Sequence, residues 1–85
     1  SFPSVAVLET EKEDFVFYPV PFKNKINFCS SVPKTVCVYS LDGVLLFSKK
    51  VFSFSCLNLD FLPSGLFLFS VEDYEKKHIK KIIKL

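Results

Sequence analysis

One histidine, His78, and three cysteines, Cys29, Cys37 and Cys56, are the imidazole and thiol groups of this 85-residue chain. No two of the cysteines form a C-x-x-C pair, and His78 sits in a lysine run with no second ligand at metal spacing. That pattern argues against a zinc site. Each cysteine lies inside an apolar run and reads as a small buried hydrophobe, with one disulfide plus a leftover thiol as the other reading. No acid, base or nucleophile pattern accompanies His78. Asp42 and Asp60 each stand beside a turn, where an Asx side chain commonly bonds nearby backbone groups. The two glycines stand too far apart for a phosphate-binding loop. The aromatics fall at strand spacing and suit a core better than a ligand stack. The reading is a protein that is not an enzyme and takes no cofactor.

Charge narrows the partners. The net charge is +2, too weak to point to nucleic acid, and every positive side chain is lysine. Recognition of nucleic acid leans on arginine for bidentate and stacked contacts. The distribution is uneven: Glu9, Glu11, Glu13 and Asp14 precede the apolar part, and Lys76, Lys77, Lys80, Lys81 and Lys84 crowd the end. Solvated lysines that keep a β-protein from aggregating are one account of that crowding. Hydrophobic residues make up 49% of the chain, including 11 Phe, which excludes intrinsic disorder. The apolar runs are broken well short of the ~20 residues a membrane helix needs. The length suits one domain. A start at Ser1, without Met or signal peptide, reads as a piece of something longer.

The elements that must position these residues are strands. Ser1–Asp14 reads as a linker, although Val5–Leu8 suits a short edge strand. "FVFYPVPF" is a β-rich run, with Phe15–Tyr18 the strand and Pro19–Asn24 the turn, because proline removes a ladder donor. "KINFCS" alternates Ile26 and Phe28 against Lys25, Asn27 and Cys29. "KTVCVYSL", Asp42-Gly43 and "VLLFSKKV" predict a type I′ hairpin that sets Leu41 opposite Val44, Tyr39 opposite Leu46 and Val38 opposite Phe47. Both faces of that hairpin are apolar, which predicts central strands. "CLNLDFL" places Leu57, Leu59 and Phe61 on one face. Pro63-Ser64-Gly65 turns the chain, and "LFLFSVE" resumes with Phe67 and Phe69 together. In "HIKKIIKL", Ile79, Ile82 and Ile83 fit a helical stripe, and a strand with one bulge fits as well; the strand is favoured because every other element is one. About seven short strands with turn signals between them predict an all-β, immunoglobulin-like antiparallel sandwich.

The order of these punctuation marks resembles a known family. "YPVPFKNKINF", "VCVYSLDGVLLFSKKV", "LNLDFLPSGLFLFSV" and a final "KKIIKL" are similar to the C-terminal sorting domain (type A) of type IX secretion cargo proteins of the Bacteroidetes. Tyr18, Pro19 and Pro21 match the family's Tyr-Pro-Asn-Pro. Val38, Tyr39, Leu41 and Gly43 match its second motif, Leu59, Leu62 and Gly65 its third, and the Lys80–Leu85 tail its last. Val20 stands where the family usually has Asn, and Phe67 where it usually has Tyr. The resemblance covers residues 15–85.

The resemblance implies a secretion signal. The cargo reaches the periplasm, the folded domain directs it through the outer-membrane translocon, and a sortase-like cysteine protease cuts the domain off within or upstream of residues 1–14. The product is secreted or held at the cell surface. A last strand at the end of the chain offers an edge for β-augmentation, and its lysines suit an acidic surface. Lys80, Lys81, Ile82, Ile83, Lys84 and Leu85, with the face around Gly65, are therefore the expected recognition region. Weak homodimerisation through an apolar edge is a further expectation. Two other readings stand beside this one. One is an adhesion or carbohydrate-binding sandwich retained on a surface protein. The other is a basic amphipathic helix over His78–Leu85 lying on a membrane.

Overall fold

Period-two alternation becomes structure throughout residues 14–85, the part of the chain that the computed structural model describes. Seven strands follow one another: β1 (Phe15–Tyr18), β2 (Lys25–Ser30), β3 (Lys34–Tyr39), β4 (Leu45–Val51), β5 (Phe54–Asn58), β6 (Gly65–Glu72) and β7 (Lys77–Lys84). The expected edge strand at Val5–Leu8 and the acidic residues Glu9, Glu11 and Glu13 lie outside the described residues. The last element is a strand, and its register against β6 runs unbroken from Gly65↔Lys84 to Glu72↔Lys77, so no bulge interrupts it.

Among the described residues the strand-to-strand pairings are all antiparallel and make two sheets, β1-β2-β5 and β4-β3-β6-β7. The arrangement is an all-β sandwich. Its fourth strand pairs with the third rather than the fifth, so the sheets hold three and four strands, where a constant-type immunoglobulin domain joins the fourth to the fifth.

Phenylalanine ties the layers together. Phe17 of β1 packs on Phe28 of β2 (centroids 5.0 Å apart) and on Phe69 of the opposite sheet (5.3 Å). Phe22 meets Phe69 edge-on at 5.9 Å. Around these rings lie Ile26, Val36, Val38, Leu57, Leu59 and Ile82, all fully or nearly fully buried. Edge-to-face aromatic pairs add roughly 0.5–1.5 kcal/mol each to the area they bury, which suits a domain too small for a large aliphatic core.

The hairpin expectations need correction. The Asp42-Gly43 hairpin is not type I′, since only glycines have positive φ among the described residues. Gly43 N–H donates to Ser40 C=O (3.0 Å) and Ser40 N–H to Val44 C=O (2.9 Å). With Gly43 at φ +91°, this is a type I turn closed by a glycine bulge. Val38 does face Phe47, but a register shift then puts Tyr39 opposite Leu45 rather than Leu46. The hairpin strands are also not both central. β3 is flanked on both sides, whereas β4 is an edge, with Leu45 and Leu46 exposed.

Phe61 does not join the face of Leu57 and Leu59. The chain leaves β5 at Asn58 and turns, with Leu62 N–H donating to Leu59 C=O at 3.1 Å. That turn breaks the alternation, exposes Phe61 and sends Leu62 into the core in its place. The cysteines are all free, and only Cys37 is buried. Cys29 and Cys56 face outward because they alternate with the core residues Phe28 and Leu57.

Candidate recognition surface

The edge strand β7 combines opposite demands along eight residues. Its register sets Ile82 opposite Phe67, Lys80 opposite Phe69 and His78 opposite Val71, so these side chains lean toward the sandwich interior. His78 packs edge-on against Phe15 at 5.4 Å, and the Lys80 ammonium lies 5.8 Å from the centre of the same ring. The alternate positions, Lys77, Ile79, Lys81 and Ile83, are exposed, and Leu85 follows them at 59% exposure. Of the expected recognition residues, Lys81, Ile83 and Leu85 thus present side chains to solvent. Ile82 is core, and Lys84 is buried down to 7% exposure.

The far end of β7 is held by a residue that the sequence reading left inside a turn. Tyr18-Pro19 and Val20-Pro21, both cis, lead the chain to Phe22, which is completely buried. Phe22 N–H donates to Ile83 C=O (3.1 Å), and Leu85 N–H donates to Phe22 C=O (2.8 Å), a parallel bridge centred on Lys84. Beyond this bridge, β1 and β7 lie side by side as edges of opposite sheets. A groove between them is lined by Phe15, Phe17, Val20, Lys80, Lys81 and Ile82.

At the other end of the sandwich, Lys34 opens β3 with the same parity as the core residues Val36 and Val38, and its side chain is only 2% exposed. Its Nζ lies 2.9 Å from Asp14 Oδ1 and 2.6 Å from Asp73 Oδ2. Asp73 Oδ1 accepts the backbone N–H groups of Glu75 and Lys76, at 2.8 and 2.9 Å. Burial pulls the Lys34 pKa down, but hydrogen bonds to Asp73 and Asp14 outweigh it and the net direction is up. Asp14 is held below the ordinary carboxylate range, first by its hydrogen bond to Lys34. Asp73 is held well below that range by Lys34, then by the two backbone donors. The three charges pin the residue before β1, the start of β3 and the β6–β7 turn to one another. Strand parity was the available signal for Lys34; nothing local in the sequence pairs it with residues 20 and 39 positions away.

The motif residues serve the fold and do not gather into one site. Tyr18, Pro19 and Pro21 are exposed in the bend that delivers Phe22, and Tyr39 is half-buried at the β3 register shift. Gly43 completes the hairpin, Leu62 is core, and Gly65 opens β6 at φ +148°. At the two turn aspartates, neighbours do the backbone bonding. Ser40 Oγ accepts Val44 N–H and bonds the Asp42 carboxylate, while Asn58 Oδ1 accepts Asp60 N–H. No cluster of three or more metal-ligating side chains occurs among the described residues.

What this geometry defines is a β-sandwich module that presents a terminal edge strand. Residues 16–85 match the family described as the secretion system C-terminal sorting domain, and the chain belongs to that family. The domain is a C-terminal secretion signal of the type IX system, the export route of the Bacteroidetes, in a family of sorting signals rather than catalysts. It interacts with the type IX machinery as part of a larger cargo protein, which is exported toward the outer membrane and secreted or attached to the surface. No curated protein matches the sequence.

Proposed function

We infer that the export machinery reads this domain in the periplasm through the end of β7, with Lys81, Ile83 and Leu85 as the contacting side chains. Lys80, Ile82 and Lys84 act indirectly, by seating the strand so that the other three are displayed. The motif residues Tyr18, Pro19, Pro21, Tyr39, Gly43, Leu62 and Gly65 act through the fold. The observation that supports this reading is the alternation along β7: every second side chain is committed to the sandwich, and the intervening ones are exposed. After passage, a sortase-like protease cuts within or upstream of the linker, residues 1–14, and releases the domain of residues 15–85.

The test is a reporter protein followed by residues 1–85, expressed in a bacterium with a type IX system. Lys81→Glu combined with Ile83→Ser and Leu85→Ser, which keeps the residue-85 N–H that bonds Phe22, is expected to hold the reporter in the periplasm while leaving the melting temperature within a few degrees. Normal secretion of that folded variant sinks the tail reading. Mass spectrometry of the secreted product is expected to find no peptide beyond residue 14; recovery of β1–β7 on the mature protein counts against cleavage.

A further inference from the structure

We propose that the β1–β7 groove is a strand-acceptor site, in which the edge of β7 from Lys77 to Lys81 pairs with an extended acidic segment of the export machinery. The proposal rests on the secretion-signal reading and gives it a binding mode. It concerns a stretch of β7 that shares only Lys81 with the contacting side chains considered above.

The backbone supplies the first observation. In an antiparallel strand, the N–H and C=O groups of alternate residues point to opposite sides. Ile83 C=O and Leu85 N–H point away from β6, because both bond Phe22. Register with β6 is unbroken from residue 84 to residue 77, so the N–H and C=O groups of Lys81, Ile79 and Lys77 point the same way. Among the described residues, strand β7 has β6 as its only strand neighbour. Phe22 therefore begins a further row on this edge at its far end, and no strand among the described residues continues that row. A segment pairing with residues 77–81 would extend what Phe22 starts, over the apolar floor of Phe15, Phe17 and Ile82.

Charge selects the occupant. The exposed side chains on this stretch run Lys77, Ile79, Lys81. Across the existing ladder, Lys77 faces Glu72, and Lys81 faces Leu68, which carries no charge. A second copy docking edge to edge would set its own lysines beside these, and like charges on adjacent strands repel. Edge lysines are a common guard against such self-pairing. The same lysines favour a partner strand that carries carboxylates on either side of an apolar residue. They therefore exclude one partner and attract another, which is how specificity is built. Recognition through backbone hydrogen bonds with charge-set selectivity also suits a receptor that must handle many cargoes.

Ile79→Pro tests the backbone part. It deletes an N–H that points to the free edge rather than to β6, a position where an edge strand tolerates proline. In the reporter assay, this variant is expected to lower secretion at least tenfold, with a melting temperature close to that of the parent. If Ile79→Pro does not fold, Lys81→Glu, which leaves the backbone intact, takes its place and is expected to act in the same direction, whereas Lys81→Arg secretes normally. Normal secretion of folded Ile79→Pro, or of folded Lys81→Glu, overturns the proposal. Leu85→Ser alone, which removes the side chain and keeps the amide that bonds Phe22, separates the two ideas. If that variant is retained while Ile79→Pro is exported, the tail reading stands and strand insertion falls. The reverse result leaves strand insertion standing and removes the terminal side chains from recognition.

Discussion

Gly43 and Gly65 hold positive φ, +91° and +148°, where a side chain is disfavoured by its own backbone. A Cβ at either position would meet no atom within 4 Å. The cost of a substitution is therefore conformational and not a clash. Gly43→Ala and Gly65→Ala are each expected to lower stability by about 1–2 kcal/mol, read as a fall in melting temperature. Gly43→Asn is expected to cost less, because Asn tolerates the left-handed region. The cysteines show how residue type misleads at this scale. All three stand in apolar runs, yet burial follows parity along the strand, and only Cys37 is covered, by its neighbours on the outer face of the larger sheet.

At the scale of elements, alternation made most strands readable. Phe15–Tyr18, Lys25–Ser30 and the strand after Gly65 follow directly from it, because one face of each meets the core. What alternation cannot carry is the neighbour. "VLLFSKKV" is as apolar as a central strand, but among the described residues β4 has one partner only, and sheet order depends on pairings distant in sequence. Phe22 was hidden for the same reason, since its partners are Ile83 and Leu85 and its own context is a pair of prolines. Removing its ring is a direct test of how the end of β7 is seated. Phe22→Ala is expected to cost about 3–5 kcal/mol, as for other buried Phe→Ala changes. In a domain this small, that approaches total stability. The Leu85 amide is expected to exchange with deuterium before those of Phe67 and Phe69, and equal protection of all three would show that Phe22 does not hold the tail.

The whole molecule is closed at one end by charge. In the folded state, Asp14 and Asp73 titrate below their unfolded values, so their contribution is present above about pH 4 and is lost as pH falls through the depressed folded values. Lys34 titrates above its unfolded value, so its share is present below about pH 10 and is lost as pH rises through the raised folded value. Between those limits the clamp is intact. Melting temperature is expected to fall between pH 5 and pH 3. Lys34→Met is expected to flatten that dependence, because it removes the cation that depresses both carboxylates. An unchanged acid slope in Lys34→Met would assign the loss to other groups.

The clamp and the Phe22 bridge sit at opposite ends of one strand. Asp14 is fastened through Lys34 to Asp73, just ahead of β7, while Leu85 is fastened to Phe22 after its last residue. Eight residues at ~3.3 Å each separate them by roughly 25 Å. Asp14, where the described chain begins, is therefore fixed at the pole remote from Ile83 and Leu85. On the recognition proposed above, the passenger is joined by way of one pole and the address is read at the other, which is the geometry of a luggage tag.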